Sequence, residues 1–126
     1  MSYFDDIPKN FEGDRYDLII TEDCSTKMKK SGTFFRATAR LKKICESGHF
    51  GAEKKRHKYE KKTNVGWLKW EDGLRVYYSI YEGTILLTTE QSGKNKKEQG
   101  KAIKRAEQIN KEVIYEIENW EEKNKK

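Results

Sequence analysis

The stretch VGWLKWEDGLRVYYSIYEGTILLTT, Val65 to Thr89, decides the fold. It divides into three runs rich in β-branched and aromatic residues, Val65–Trp70, Leu74–Tyr81 and Thr84–Thr89. Between them stand Glu71-Asp72-Gly73 and Glu82-Gly83. Such residues fit a pleated, half-buried surface, and short glycine-bearing gaps between such runs read as hairpin turns. The spacing therefore predicts an antiparallel meander of three strands. Side chains alternate along a strand. Leu74, Val76, Tyr78 and Ile80 make a core-like face, and Arg75, Tyr77, Ser79 and Tyr81 make the other. In the first run Leu68 and Trp70 are the better core pair, which sets Lys69 beside Arg75. Cations and phenols together on an open sheet face suit a phosphate backbone and its bases. A half-exposed strand that binds nothing can carry the same pattern.

Working outward, Tyr16–Thr21 (YDLIIT) is a further β-type run. Glu22–Lys30 reads as a short helix stopped by Gly32. Thr33 is placed to cap a second helix, Phe34–Glu46, with Phe34, Ala37, Thr38, Leu41, Ile44 and Cys45 on one stripe. Ser47-Gly48 ends it, and residues 49–63 read as a basic connector. Residues 91–95 read as a loop. From Lys96 the apolar residues Ala102, Ala106, Ile109, Val113, Ile117 and Trp120 step by three and four, as in a long helix whose first turns Gly100 weakens. After a helical crossover the first strand can pair parallel to a strand of the meander. The expected fold is α+β: a four-stranded, mostly antiparallel sheet with two helices before the meander and one long helix after it. Residues 15–120 form a single domain in this reading. Residues 1–14 are an irregular acidic leader holding the only proline, Pro8, and residues 121–126 a frayed tail.

A chain of 126 residues is long enough for one core. Its hydrophobic fraction is only 34% and its charged fraction 38%, but the apolar residues cluster and 12% of all residues are aromatic, which argues for a folded domain. The net charge of +6 suits a polyanionic partner, and its distribution says more than its size. Lys54–Lys62 and Lys94–Arg105 each hold six Lys or Arg, while acidic residues gather toward the two ends. Cys24 and Cys45 form no metal-binding spacing, and no run is apolar enough for a signal or a membrane span. A cytoplasmic protein with reduced thiols is the expectation.

Three motifs carry a family resemblance. The first is Glu46-Ser47-Gly48-His49-Phe50-Gly51 followed by Lys54, similar to a "GNFGDxK" turn. The second is Gly66-Trp67-Leu68-Lys69-Trp70 with Gly73-Leu74-Arg75-Val76-Tyr77-Tyr78, similar to an "xELRxxxGxGYRVYY" hairpin. The third is Lys94 with the GKAIKRA stretch ending at Ala106. Together they resemble the RelE/HigB/ParE toxin superfamily of type II toxin–antitoxin systems, and most of all its addiction-module killer protein branch. Ser92-Gly93 stands where that branch has a double glycine, and Ala102 where it has an aspartate.

The resemblance implies a toxin neutralised by a cognate antitoxin protein, meeting operator DNA only through that complex. RelE-like and HigB-like members cut messenger RNA on the ribosome, while ParE-like members poison DNA gyrase. RNA cleavage there is attack of a ribose 2′-hydroxyl on the adjacent phosphate, with neither metal nor cofactor. Such a site must deprotonate the hydroxyl, hold the extra phosphorane charge and protonate the leaving oxygen. By the resemblance Lys69 and Arg75 are the phosphate candidates, joined by Lys54 and Lys94. His57 and Tyr77 are candidate proton carriers. Lys55, Arg56, Lys58, Lys96 and Lys97, from the basic runs, are candidate RNA-binding residues. A non-catalytic RNA- or antitoxin-binding relative fits the same residues. His49 and His57 also read as surface histidines, and the 54–62 run as a solvated loop. Ser92-Gly93-Lys94 lacks the spacing of a P-loop.

Overall fold

A computed structural model describes residues 2–51, 56–91 and 96–125. In chain order the elements are a 3-10 helix (Tyr3–Asp6), strands β1 (Phe11–Glu12) and β2 (Asp17–Ile20), and helices α1 (Glu22–Ser31) and α2 (Phe34–Ser47). Strands β3 (His57–Glu60), β4 (Val65–Lys69), β5 (Arg75–Tyr81) and β6 (Thr84–Gln91) follow, and then helix α3 (Lys96–Lys123).

The meander forms as its alternation requires: β4 pairs antiparallel with β5, and β5 with β6. The first long-range strand also pairs as expected, with β2 lying parallel to β6 and Leu18 opposite Ile85. The sheet is mixed, but it has six strands rather than four, in the order β1-β2-β6-β5-β4-β3. The two additional strands lie at its edges. β1 sits within the supposedly irregular leader, where Phe11 pairs with Leu18. β3 sits within the supposed connector, where His57 pairs with Leu68 and Tyr59 with Gly66. Both are short, and both gain their hydrogen bonds from a longer partner rather than from local propensity. The leader also holds the 3-10 helix, whose Ser2 and Asp5 form a reciprocal cap.

Helices cover both faces. On one, Cys24 and Met28 of α1 and Ala37, Leu41, Ile44 and Cys45 of α2 pack on Leu18, Leu68, Val76, Tyr78, Ile85 and Leu87. Complete burial of a leucine such as Leu41 or Leu68 stabilises the fold by roughly 1.5–3 kcal/mol. On the other face Ile109, Val113 and Ile117 of α3 pack on Ile19, Tyr81 and Leu86. Nearer its start, Ala102, Ile103 and Ala106 pack with Val65, Trp67 and Tyr77. The small alanines let the helix lie close to the sheet.

α3 therefore covers much of the face that the alternation reads as open. Tyr77 has no exposed surface and Tyr81 only 8%, so the phenols are core rather than surface. A bulge separates these residues: Tyr77 opposes Thr89 and Tyr78 opposes Leu87, leaving Thr88 as the extra residue. The Thr88 hydroxyl donates to the Tyr77 carbonyl at 3.1 Å.

Local caps differ in one respect from the sequence reading. Thr33 makes no side-chain cap on α2. Its hydroxyl instead donates to the Met28 carbonyl at the end of α1. Thr21 caps α1, accepting from the Cys24 amide at 3.3 Å and donating to the Thr88 carbonyl at 3.0 Å. At the far end, α3 stays helical through Lys123, with Trp120 held edge-on by Tyr3 at 6.4 Å. Among the described residues no helix is long and apolar enough to cross a membrane.

Candidate nucleic-acid interface

The register of β3, β4 and β5 builds a basic patch at one end of the sheet. Lys69 lies directly across from Arg75, and Lys58 across from Trp67. Alternation then puts Lys58, Trp67, Lys69 and Arg75 on the same face, the one that also carries α3. The Arg75 guanidinium stacks on the Trp67 ring with its central carbon 4.6 Å from the centroid. Planar stacking of this kind fixes a guanidinium at little cost in hydrogen bonds. The Arg75 Nη1 is buried and has no hydrogen-bond partner among the described residues, while the guanidinium also hydrogen-bonds the Tyr77 side chain. Lys69 is half-buried and Lys58 exposed. Lys96 and Lys97, both exposed, open α3 on this same face.

Arg56 is held differently. It forms an ion pair with Glu71 across the neighbouring turn. Lys54, Lys55 and Lys94 lie outside the described residues. Trp67 is a further residue of the site, and its alternation with Leu68 is the signal in the sequence, since it puts the indole on the face of Lys69.

Of the two candidate proton carriers, His57 sits apart from the patch and Tyr77 is enclosed within it. His57 is on β3 with its side chain on the opposite face of the sheet, one residue before Lys58. Its ring stacks on Phe50 at 5.1 Å and lies near-parallel to Tyr78, whose hydroxyl is 2.6 Å from Nε2. A backbone hydrogen bond at Gly51 engages the ring as well. Burial, followed by the nearby Arg40 charge, lowers the His57 pKa below the ordinary imidazole value. Tyr77 is on the cationic face, but its hydroxyl is enclosed and donates to Gln91 Oε1 at 3.1 Å. Burial raises its pKa, against the Arg75 charge, which lowers it.

Arg40 braces the patch from the other side. Its guanidinium donates to the carbonyls of Lys69 at 2.7 Å and Arg56 at 3.1 Å, and stacks on Trp70 at 4.5 Å. The end of β4 that presents Lys69 is thereby tied to α2. A separate cleft of about 310 Å³ opens between α1 and α3, lined by Lys27 and Arg105. It also holds Glu22, Asp23 and Glu112, and Arg105 is within 3.9 Å of Asp23, so it is a poor seat for a phosphate. Among the described residues no cluster of three His, Cys, Asp or Glu could hold a metal.

The arrangement can bind anions: two paired cations at the braced ends of two strands, a third beside them, and an aromatic ring among them. Comparison with protein-family models, curated proteins and solved structures finds no match to this chain.

Proposed function

We propose that this protein is a toxin of the RelE/HigB/ParE type that acts on RNA, holding its phosphate backbone on Lys58, Lys69 and Arg75. The observation that carries the reading is the cross-strand pair of Lys69 and Arg75, with Arg75 stacked on Trp67. Arg75, already fixed by its strand and by the indole, binds a polyanion with little ordering cost. The same two charges suit the developing phosphorane of a 2′-hydroxyl attack. The favoured activity is ribosome-dependent cleavage of messenger RNA, controlled by an antitoxin partner.

Cell-free translation with purified protein tests this. The expected result is arrested synthesis, with transcripts cut inside their coding regions by primer extension. Arg75→Ala is expected to relieve the arrest. A second reading, RNA binding without cleavage, is favoured by the enclosure of Tyr77 and the engagement of His57 with Tyr78. Arrest or binding with intact transcripts would decide for it. Uninhibited translation together with cleaved gyrase–DNA complexes would decide for a gyrase poison.

A further inference from the structure

α3 is charged against its own dipole. A helix favours acidic residues near its start and basic residues near its end. The exposed residues early in α3 are instead Lys96, Lys97, Lys101, Lys104 and Arg105, and those late in it include Glu116, Glu118, Glu121 and Glu122. Glu98 is the only acidic residue of the first turn, and Lys123 the only basic residue of the last. Both halves lower the stability of the isolated helix. Nor does packing on the sheet require them, because the sheet takes the opposite face.

The outward face has a regular pattern. Lys97, Lys101, Lys104, Gln108, Lys111, Tyr115, Glu118 and Glu122 recur at alternating steps of four and three, and all are exposed. That is the spacing along which two helices run side by side. Tyr115 is 65% exposed, and its neighbour Ile114 is 40% exposed. The stripe is thus basic for its first half, aromatic beyond the middle and acidic at its end.

We propose that this face of α3 pairs antiparallel with the same face of a second copy of the chain. One two-fold register satisfies the stripe throughout: Lys97 faces Glu122, Lys101 faces Glu118, Lys104 faces Tyr115 and Gln108 faces Lys111. In a symmetric pair each contact occurs twice. The arrangement also sets the positive end of each helix dipole beside the negative end of the other. A helix of 28 residues offers a seam about 42 Å long. The seam is mostly polar, so the dimer is salt-sensitive rather than obligate.

Sedimentation of the full, RNA-free chain over a series of concentrations and salt tests the proposal. The expected result is a concentration-dependent dimer that weakens as salt rises. Lys101→Glu and Glu118→Lys each place like charges opposite one another twice per dimer, and each is expected to weaken association by ~tenfold or more. The double variant, Lys101→Glu with Glu118→Lys, restores the complementary pairs and is expected to recover the dimer. Circular dichroism confirms that α3 stays helical in each variant. A monomer at every concentration would overturn the proposal and leave the face to RNA or to a different protein. A dimer that ignores both single reversals would place the interface elsewhere and overturn it equally.

Discussion

Tyr78 lies flat over Gly66, its partner across the β4–β5 pair. A β-carbon built on Gly66 would fall 2.4 Å from the Tyr78 ring and 2.6 Å from its hydroxyl. Only glycine leaves room for the phenol, and through the phenol for the stack with Phe50, His57 and Tyr59. Gly66→Ala is expected to destabilise the fold by roughly 1–3 kcal/mol, through overpacking against a ring with no exposed surface. Denaturant titration measures it. Adding Tyr78→Leu should recover part of the loss, because the two residues share one contact.

Asn110 is a buried polar hub on α3. Its carbonyl oxygen accepts from the Tyr81 hydroxyl and from Asn64 Nδ2, and its own amide donates to the Thr63 carbonyl at 2.9 Å. Asn64, in left-handed backbone at φ 54°, also accepts from Tyr59 and from the Ile80 amide. These bonds fix the register of α3 on the β3–β4 hairpin. Asn110→Leu strands several buried groups at once and is expected to cost about 2–4 kcal/mol, more than a typical surface change. Thermal and denaturant unfolding against the unaltered chain checks this.

Stability is expected to fall in mildly acidic solution, in part through His57. Its folded pKa lies below the ordinary value of 6.5, so the unfolded chain binds the proton more readily. The contribution is complete above that value and is lost as pH drops through it toward the folded pKa. Protonation would also put a second positive charge beside Arg40. Unfolding midpoints measured from neutral pH down to 5 should decline less steeply in His57→Gln than in the unaltered chain.

The thiols are expected to be inert in the folded protein. Burial pushes Cys24 up to about 12 and Cys45 up to about 11, so little thiolate exists near neutral pH. Iodoacetamide should leave the native chain unlabelled and add two groups after denaturation. Rapid native labelling would mean that α1 or α2 opens readily.

Much of the architecture was legible because strong local patterns coincide with tertiary packing. The alternation in β5, the glycine turns at Gly73 and Gly83, and the apolar stripe of α2 all fall where the structure has them. β3 was missed because His57-Lys58-Tyr59-Glu60 offers only four residues inside a lysine-rich run, and its bonds come from β4. Its alternation of two rings with two charges was the faint signal. The larger error concerned Tyr77 and Tyr81. Periodicity correctly put them on one face with Arg75, but it says nothing about whether a helix distant in sequence covers that face. The cationic pair was legible for the opposite reason: it depends on register alone, and a three-residue turn set that register.

In the proposed function, RNA phosphates sit on Lys58, Lys69 and Arg75. The most direct test is the affinity of the purified protein for a single-stranded RNA oligonucleotide, followed by fluorescence anisotropy over a range of salt. Binding is expected to weaken linearly with salt on a log–log plot, with a slope that becomes shallower by ~0.7 for each phosphate contact removed in Lys58→Ala and Lys69→Ala. Arg75→Lys, which keeps the charge but loses the stack on Trp67, should bind more weakly than the unaltered chain and keep most of the slope. Unchanged affinity and slope in the Lys58→Ala, Lys69→Ala double variant would contradict the claim, as would no binding to RNA at low salt.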